Sequence, residues 1–154
     1  SEKLISQAQE KINKMEQASK STLEQAGRNM LISLREEVNS LLDKIVLLSI
    51  RQALTPLMLS KILHSLIVET AKENKNNIMI SLSKDDLERL EKGFLAQLQQ
   101  GIKQGVTLKA SEDIGSGFLI SFDEGKSHFD FTDEALAGYI GQYLRPELAK
   151  LLKE

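Results

Sequence analysis

The first 45 residues carry an apolar stripe that repeats every eleven residues. Ten of its twelve positions are apolar, and the exceptions are Ser19 and Glu37. The apolar members of the stripe are Leu4, Ala8, Ile12, Met15, Leu23, Ala26, Met30, Leu34, Leu41 and Ile45. No heptad register over residues 4–45 places more than five apolar residues at its twelve core positions. A period of eleven residues gives about 3.67 residues per turn, which winds helices into a right-handed supercoil.

The stripe predicts one long coiled-coil helix over residues 1–53. This segment has no aromatic residue and no proline, and its eight basic side chains nearly balance its seven acidic ones. A helix of about 50 residues spans about 75 Å, which is longer than a small domain, so most of the stripe must bind another chain. We therefore predict that the ten apolar residues form a partner interface, and that the isolated chain self-associates through residues 4–45. Packing of the helix back onto the rest of the chain is the alternative.

Residues 54–154 have a different composition and predict a small α+β head. All seven aromatic residues lie at or after Phe94, and eight of the nine glycines lie at or after Gly93. Short segments with strand-like alternation or apolar runs are residues 78–82, 106–110, 118–122 and 127–131. Together with the intervening helical segments, they predict a four-stranded mixed sheet packed by helices.

The last two strands are expected to form a hairpin across residues 123–126, where Gly125 can adopt a positive φ. The aromatic residues of this hairpin have the spacing of a shared core face: Phe118, Phe122, Phe129 and Phe131.

Capping residues predict where the helices of the head begin. Thr55 precedes Pro56 and starts a helix to about residue 73, which is apolar enough to be buried on more than one face. Ser83 starts a helix whose inward side chains should be Leu87, Leu90, Phe94, Leu95 and Leu98. Thr132 starts the last helix, with Asp133 in the first turn where the helix dipole favours an acidic residue, and Pro146 is expected to interrupt it.

Composition excludes several classes of protein. The net charge is −2 without a clustered basic face, so we expect no binding to nucleic acid. The chain has no cysteine, and therefore no disulfide, thiolate metal site or thiol nucleophile. Residues 1–20 contain no apolar run typical of a signal peptide, which favours a cytoplasmic protein. The longest uncharged run in the densest apolar stretch is Gln52–Ser60, too short for direct membrane insertion.

No constellation of residues predicts catalysis or a cofactor. His64 and His128 have no suitably spaced partner, so we interpret both as packing or surface residues. Asp113, Gly115 and Gly117 resemble part of a phosphate loop, but a strand follows them instead of a helix.

The acidic clusters are explained by a solvated helix start and a charged turn. They are Asp85, Asp86 and Glu88, and Asp123, Glu124 and Asp130. We predict a protein with no catalytic, cofactor-binding or metal-binding residues, and no enzyme activity.

The C-terminal third resembles the E subunit of the vacuolar and archaeal-type ATPases. That family has a Gly-rich turn, an apolar strand, a Gly turn, a second strand running into a Thr-capped helix, and an acidic, Leu-rich end. The matching segments here are residues 113–121 (DIGSGFLIS), Gly125, residues 128–136 (HFDFTDEAL) and residues 146–152 (PELAKLL). The long N-terminal helix also fits. The sequence departs from the family where many members have a Gly-Gly pair, here Gly115-Ser116-Gly117, and where many have Asn-Thr-Leu-Glu, here residues 131–134; an Arg soon after is missing.

The resemblance implies a stator. In the family, the E subunit pairs its long helix with the helical G subunit, called H in archaeal enzymes, and docks its head chiefly on the B subunit. The pair forms a peripheral stalk that stops the catalytic head from turning with the rotor. The complex lies against the membrane, and the stalk on its cytoplasmic side.

Two other functions stay open from the sequence. One is the stator-like regulator of flagellar or type III export ATPases, which Gly-x-x-x-Gly repeats would favour, although this helix has only Gly27. The other is an unrelated coiled-coil adaptor, which should form a tight homodimer and bind none of the ATPase subunits.

Overall fold

A computed structural model describes residues 1–73, 77–93 and 105–153. The elements in chain order are α1 (Glu2–Ala53), α2 (Pro56–Lys72), β1 (Ile78–Leu82), α3 (Lys84–Gly93), β2 (Val106–Ala110), β3 (Gly117–Ser121), β4 (Phe129–Thr132) and α4 (Asp133–Lys153). The predicted long helix and α+β head are confirmed. The helical conformation of α1 continues through Gly27 without interruption. Three of the expected inward side chains, those of Phe94, Leu95 and Leu98, lie outside the described residues.

The sheet is mixed, as predicted, with the strand order β2-β1-β3-β4. The β1 and β2 strands are parallel, whereas β1–β3 and β3–β4 are antiparallel. The bounds of β1 and β2 agree with the predicted segments. The predicted bounds of the hairpin are less accurate, because β4 begins only at Phe129 and residues 122–128 form the connection. His128 therefore lies before the strand and is exposed.

The core lies between α2, α3 and one face of the sheet. Its most buried side chains are Leu59, Leu63, Ile67, Ile78, Ile80, Leu82, Leu90, Val106, Phe118 and Ile120. Register explains this set, because Ile80 pairs with Leu108 on one side and with Ile120 on the other, so alternate residues of three strands face α2.

Two expectations about burial are wrong. The α2 helix buries only one face, since Leu57 and Val68 on the opposite side are exposed. Phe129 shares the face of Phe118 and Phe131, as predicted, but 59% of it is exposed. Its strand, β4, is the edge of the sheet and extends past the cover that α2 provides.

The expected interruption at Pro146 is also wrong, because α4 runs through it as one helix. Proline removes one backbone donor, and the carbonyl that loses its intrahelical partner belongs to the exposed Gln142. That carbonyl can bind water, while packing of α4 against α1 holds the helix on both sides of the proline.

The predicted capping residues hold the starts of the three head helices. The backbone N–H of Met58 donates to Thr55 Oγ1 at 3.2 Å, that of Asp86 to Ser83 Oγ at 3.1 Å, and that of Ala135 to Thr132 Oγ1 at 3.4 Å. Partial burial raises the pKa of Asp86 above its usual value, and the hydrogen bond with Ser83 and the charge of Arg89 only partly oppose this.

Asp123 organises the connection between β3 and β4. Its carboxylate accepts hydrogen bonds from Ser121 Oγ and from the backbone N–H of Ser127, both at 2.8 Å, and from the Ser127 hydroxyl. Gly125 takes the predicted positive φ, at 90°, and its N–H donates to Ser121 Oγ at 2.8 Å. These donors stabilise the ionised carboxylate and lower the pKa of Asp123 from 3.8 to about 2.

We expect a carboxyl NMR titration to place the pKa of Asp123 near 2. Because the folded-state pKa is depressed, the stabilising contribution is fully present above the ordinary value of 3.8 and is lost as the pH falls through about 2. The Ser127→Ala variant, which lacks the largest cause of the shift, should move the midpoint toward 3.8. A wild-type midpoint already at the ordinary value would contradict this description of the turn.

Candidate partner-binding surface

The apolar stripe of α1 is exposed along its whole length. The eight large side chains of the predicted interface are between 49% exposed, at Leu41, and 74% exposed, at Met30. Ala8 and Ala26 are exposed as well. Residues 1–34 bury no side chain at all, a stretch of about 50 Å. Packing of the stripe back onto the head is therefore not what the described residues show.

The stripe residues border two shallow apolar depressions. The first lies between Ile12 and Leu23, and the second between Ala26 and Glu37. Both non-apolar members of the stripe, Ser19 and Glu37, line these depressions. Such alternation of ridges and hollows is what the side chains of a second helix require.

A different face of α1 binds the head. Val46 is buried, and Leu42, Leu47 and Ile50 are half-buried, along the part of α1 against which α4 packs. At 3.6 residues per turn, this face is centred roughly 150° around the helix from the local stripe. The last third of α1 thus has two apolar faces, one covered by α4 and one open.

Two ion pairs connect α1 and α4 with opposite polarity. Arg51 Nε lies 2.6 Å from Asp133 Oδ2 at the start of α4. Arg145 Nη2 lies 2.8 Å from Asp43 Oδ1 further along. As α1 is followed from Arg51 back to Asp43, α4 is followed forward, so the helices are antiparallel and the two pairs fix their register. Gly141 is buried at this contact, with its open side facing Asp43.

We expect Arg51→Ala to lower the free energy of unfolding by about 2 kcal/mol, because it leaves the Asp133 carboxylate buried without its cation. The matched variant Arg145→Ala should cost less than about 1 kcal/mol, since its pair with Asp43 is about half exposed. The Asp133 side chain is only 4% exposed. Urea unfolding of both variants measures the difference, and equal losses would contradict the unequal roles of the two pairs.

The glycine loop before β3 holds the start of α4. Asp133 N–H donates to the carbonyl of Ser116 at 3.0 Å, so the loop is bonded directly to the first residue of the helix. Gly117 has φ 77°, and a Cβ there would lie 2.3 Å from the carbonyl oxygen of Phe131. The resemblance of Asp113, Gly115 and Gly117 to a phosphate loop is thus a structural junction between β3, β4 and α4.

The titratable residues singled out from the sequence do not assemble into a reactive site. His64, His128, Asp85 and Glu88 are exposed. Within residues 1–73, 77–93 and 105–153, no three histidine or carboxylate side chains are placed to hold a metal ion.

Sequence reasoning missed the residues that fix the head on α1. Arg51 and Asp133 are 82 positions apart, and Asp43 and Arg145 are 102 apart, so no local pattern connects them. The sequence explains Asp133 only through the helix dipole. The one available signal was the amphipathic pattern of α1 around Leu42 and Val46, which the eleven-residue stripe obscured.

None of the described helices is, by itself, long and apolar enough to cross a membrane. The length and composition criteria are met only by α1 and residues Pro56–Thr70 taken together, which are bent by 82° at the break between them.

No protein-family model matches the chain. Curated proteins do match it. It is 35% identical over 138 residues to the V-type ATP synthase E subunit of Treponema denticola, an alignment that covers 86% of this chain and 65% of that protein. It is 30% identical to the protein of the same name in Treponema pallidum, covering 89% of this chain and 59% of that protein. The corresponding Borreliella burgdorferi protein is 25% identical, with coverages of 84% and 64%.

These relatives carry one name across Treponema and Borrelia, and the resemblance to the E subunit is confirmed over most of the chain. The chain is a homologue of the V-type ATPase E subunit. It spans 65% of the Treponema denticola protein and 59% of the Treponema pallidum protein.

Proposed function

We propose that this chain is a non-catalytic, peripheral-stalk subunit of a rotary V-type ATPase. The observation that carries the proposal is the division of α1 into two faces, one covered by α4 and one left open as an apolar stripe. The homology supplies the complex, and the stripe supplies the kind of contact. A long helix with one unsatisfied face serves to connect two bodies that lie far apart.

The open face would bind the helical stalk protein of the complex, its G or H subunit. The ten apolar stripe residues are exposed in the isolated chain, and eleven-residue periodicity suits a right-handed pair of helices. A stalk of two helices wound together resists twisting better than one. It can therefore hold the catalytic head still while the rotor turns.

The head would dock on the catalytic head of the ATPase, chiefly on the B subunit. Apolar side chains remain exposed along the outer face of α4 and on the neighbouring edge strand: Phe129, Tyr139, Ile140 and Tyr143. Tyr139 Oη donates to the carbonyl of Asp130 at 3.4 Å, which connects the helix to that strand. Exposed aromatic residues held on rigid elements are common at the centre of protein interfaces.

In this role, the protein acts mechanically and does no chemistry itself. It would lie peripheral to the membrane, on the cytoplasmic side, as part of the ATPase complex. Its contribution to catalysis is indirect, since ATP hydrolysis drives ion transport only if the head does not rotate with the rotor.

The test is co-expression of the tagged chain with the other soluble ATPase subunits from its own genome, followed by native mass spectrometry. The expected result is a stable heterodimer with a small helical protein, and a larger assembly that contains the B subunit. A tight homodimer that binds none of the ATPase subunits would indicate an adaptor instead. Selective binding to an export ATPase would indicate the flagellar or type III regulator.

A further inference from the structure

We propose that Glu37 selects the partner of α1: it opposes pairing of two copies of this chain and favours a helix that carries a lysine or arginine at its level. This inference deepens the proposed function, because it rests on a second helix lying along the stripe. It specifies the chemistry of that helix at one position.

Glu37 is the only charged residue among the twelve stripe positions. Apolar neighbours surround it within the stripe, with Leu34 one turn before it and Leu41 one turn after it. It lines the second depression together with Ala26, Met30 and Leu34. Any helix that fills this depression must therefore cover the Glu37 carboxylate.

The chain itself provides no cation for Glu37. In the part of the chain that the structure describes, Glu37 is exposed and forms neither an ion pair nor a side-chain hydrogen bond. The positions three and four residues away on the helix are Ser33, Leu34, Ser40 and Leu41, so no lysine or arginine can reach it from the same face. A carboxylate covered by an apolar helix would remain uncompensated, which strongly opposes association.

Both symmetric pairings of two identical chains create this problem. In a parallel pair in register, the two Glu37 carboxylates face each other across the seam. In an antiparallel pair with full overlap of residues 4–45, Glu37 lies opposite Ile12, because the two positions are equidistant from the ends of the stripe. A partner with a basic residue at this level satisfies the carboxylate instead, and a single polar pair in an apolar seam also fixes the register.

The first experiment measures self-association of the full chain by sedimentation equilibrium. We expect Glu37→Leu to strengthen self-association by about tenfold or more, and the neutral isostere Glu37→Gln to lie between it and the wild type. The matched control is Ser19→Leu, which repairs the other break in the stripe without removing a charge and should have a smaller effect. Equal effects of Glu37→Leu and Ser19→Leu, or no effect of Glu37→Leu, would overturn the penalty on self-pairing.

The second experiment measures the affinity of the full chain for the co-expressed helical stalk protein. Glu37→Lys should weaken this complex by about tenfold or more, because it places like charges together, whereas Glu37→Gln should weaken it less. Wild-type affinity in Glu37→Lys would overturn the basic contact. If the wild-type chain binds no helical stalk protein, the proposed function and the basic contact both fail, while the sedimentation comparison still decides whether Glu37 opposes self-pairing.

Discussion

Replacement of Leu23 and Leu34 together by aspartate should weaken binding of the helical stalk protein by about a hundredfold or more. Burial of each leucine contributes about 1.5–3 kcal/mol to association, and two carboxylates covered without partners add a further penalty. Both positions are highly exposed in the isolated chain, at 73% and 54%, so the substitutions should leave the fold of the chain intact. Titration calorimetry with the purified stalk protein measures the loss.

Ile32→Asp is the matched control for this prediction. Ile32 is 53% exposed, like Leu34, but it lies on the opposite side of α1 from the local stripe. It should change the affinity by no more than about twofold, a difference within the usual range for surface substitutions. If Ile32→Asp weakens the complex as much as the double variant, the partner does not follow the stripe.

Gly117→Ala should lower the free energy of unfolding by about 3 kcal/mol or more, the largest effect that we expect from one methyl group in this chain. The positive φ of 77° strains any L-residue other than glycine. The added Cβ would also lie 2.3 Å from the carbonyl oxygen of Phe131 and 2.8 Å from Thr132 Cα. Both are backbone atoms, which cannot move without displacing β4 from β3. Urea unfolding monitored by circular dichroism measures the loss.

Gly125→Ala separates the two causes of this loss. Gly125 also has a positive φ, at 90°, but the nearest atom to its added Cβ is the sulfur of Met79, at 3.8 Å. It should therefore cost only the strain of the backbone, about 1 kcal/mol. A loss in Gly117→Ala no larger than that in Gly125→Ala would show that the contact between the loop and β4 can relax.

The sequence was sufficient wherever local periodicity decided the structure. The eleven-residue stripe predicted a helix that ends within a residue or two of Ala53, and alternation in Val106–Ala110 located β2 correctly. Thr55, Ser83 and Thr132 were identified as capping residues because a side-chain acceptor just before a helix has a local cause. The sequence pattern also identified which α1 residues remain exposed, although it did not test what binds them.

Tertiary contacts decided the remaining features, and no local pattern reports them. Pro146 lies inside α4 because α1 supports the helix on both sides of the proline. Phe129 is exposed because its strand is at the edge of the sheet, a fact of topology and not of its own alternation. The second apolar face of α1 became recognisable only when α4 was seen to cover Val46.

The most direct test of the stator proposal is the ratio of protons pumped to ATP hydrolysed, in membranes whose ATPase contains this chain with Gln25→Pro and Ser33→Pro. These exposed positions lie off the stripe, so proline breaks the helix without removing an apolar contact. The control carries alanine at both positions. We predict that ATP hydrolysis continues while the ratio falls several-fold, because the head is no longer held still. An undiminished ratio in the proline variant, equal to that of the alanine control, would contradict the proposal that α1 is a torque-bearing stalk.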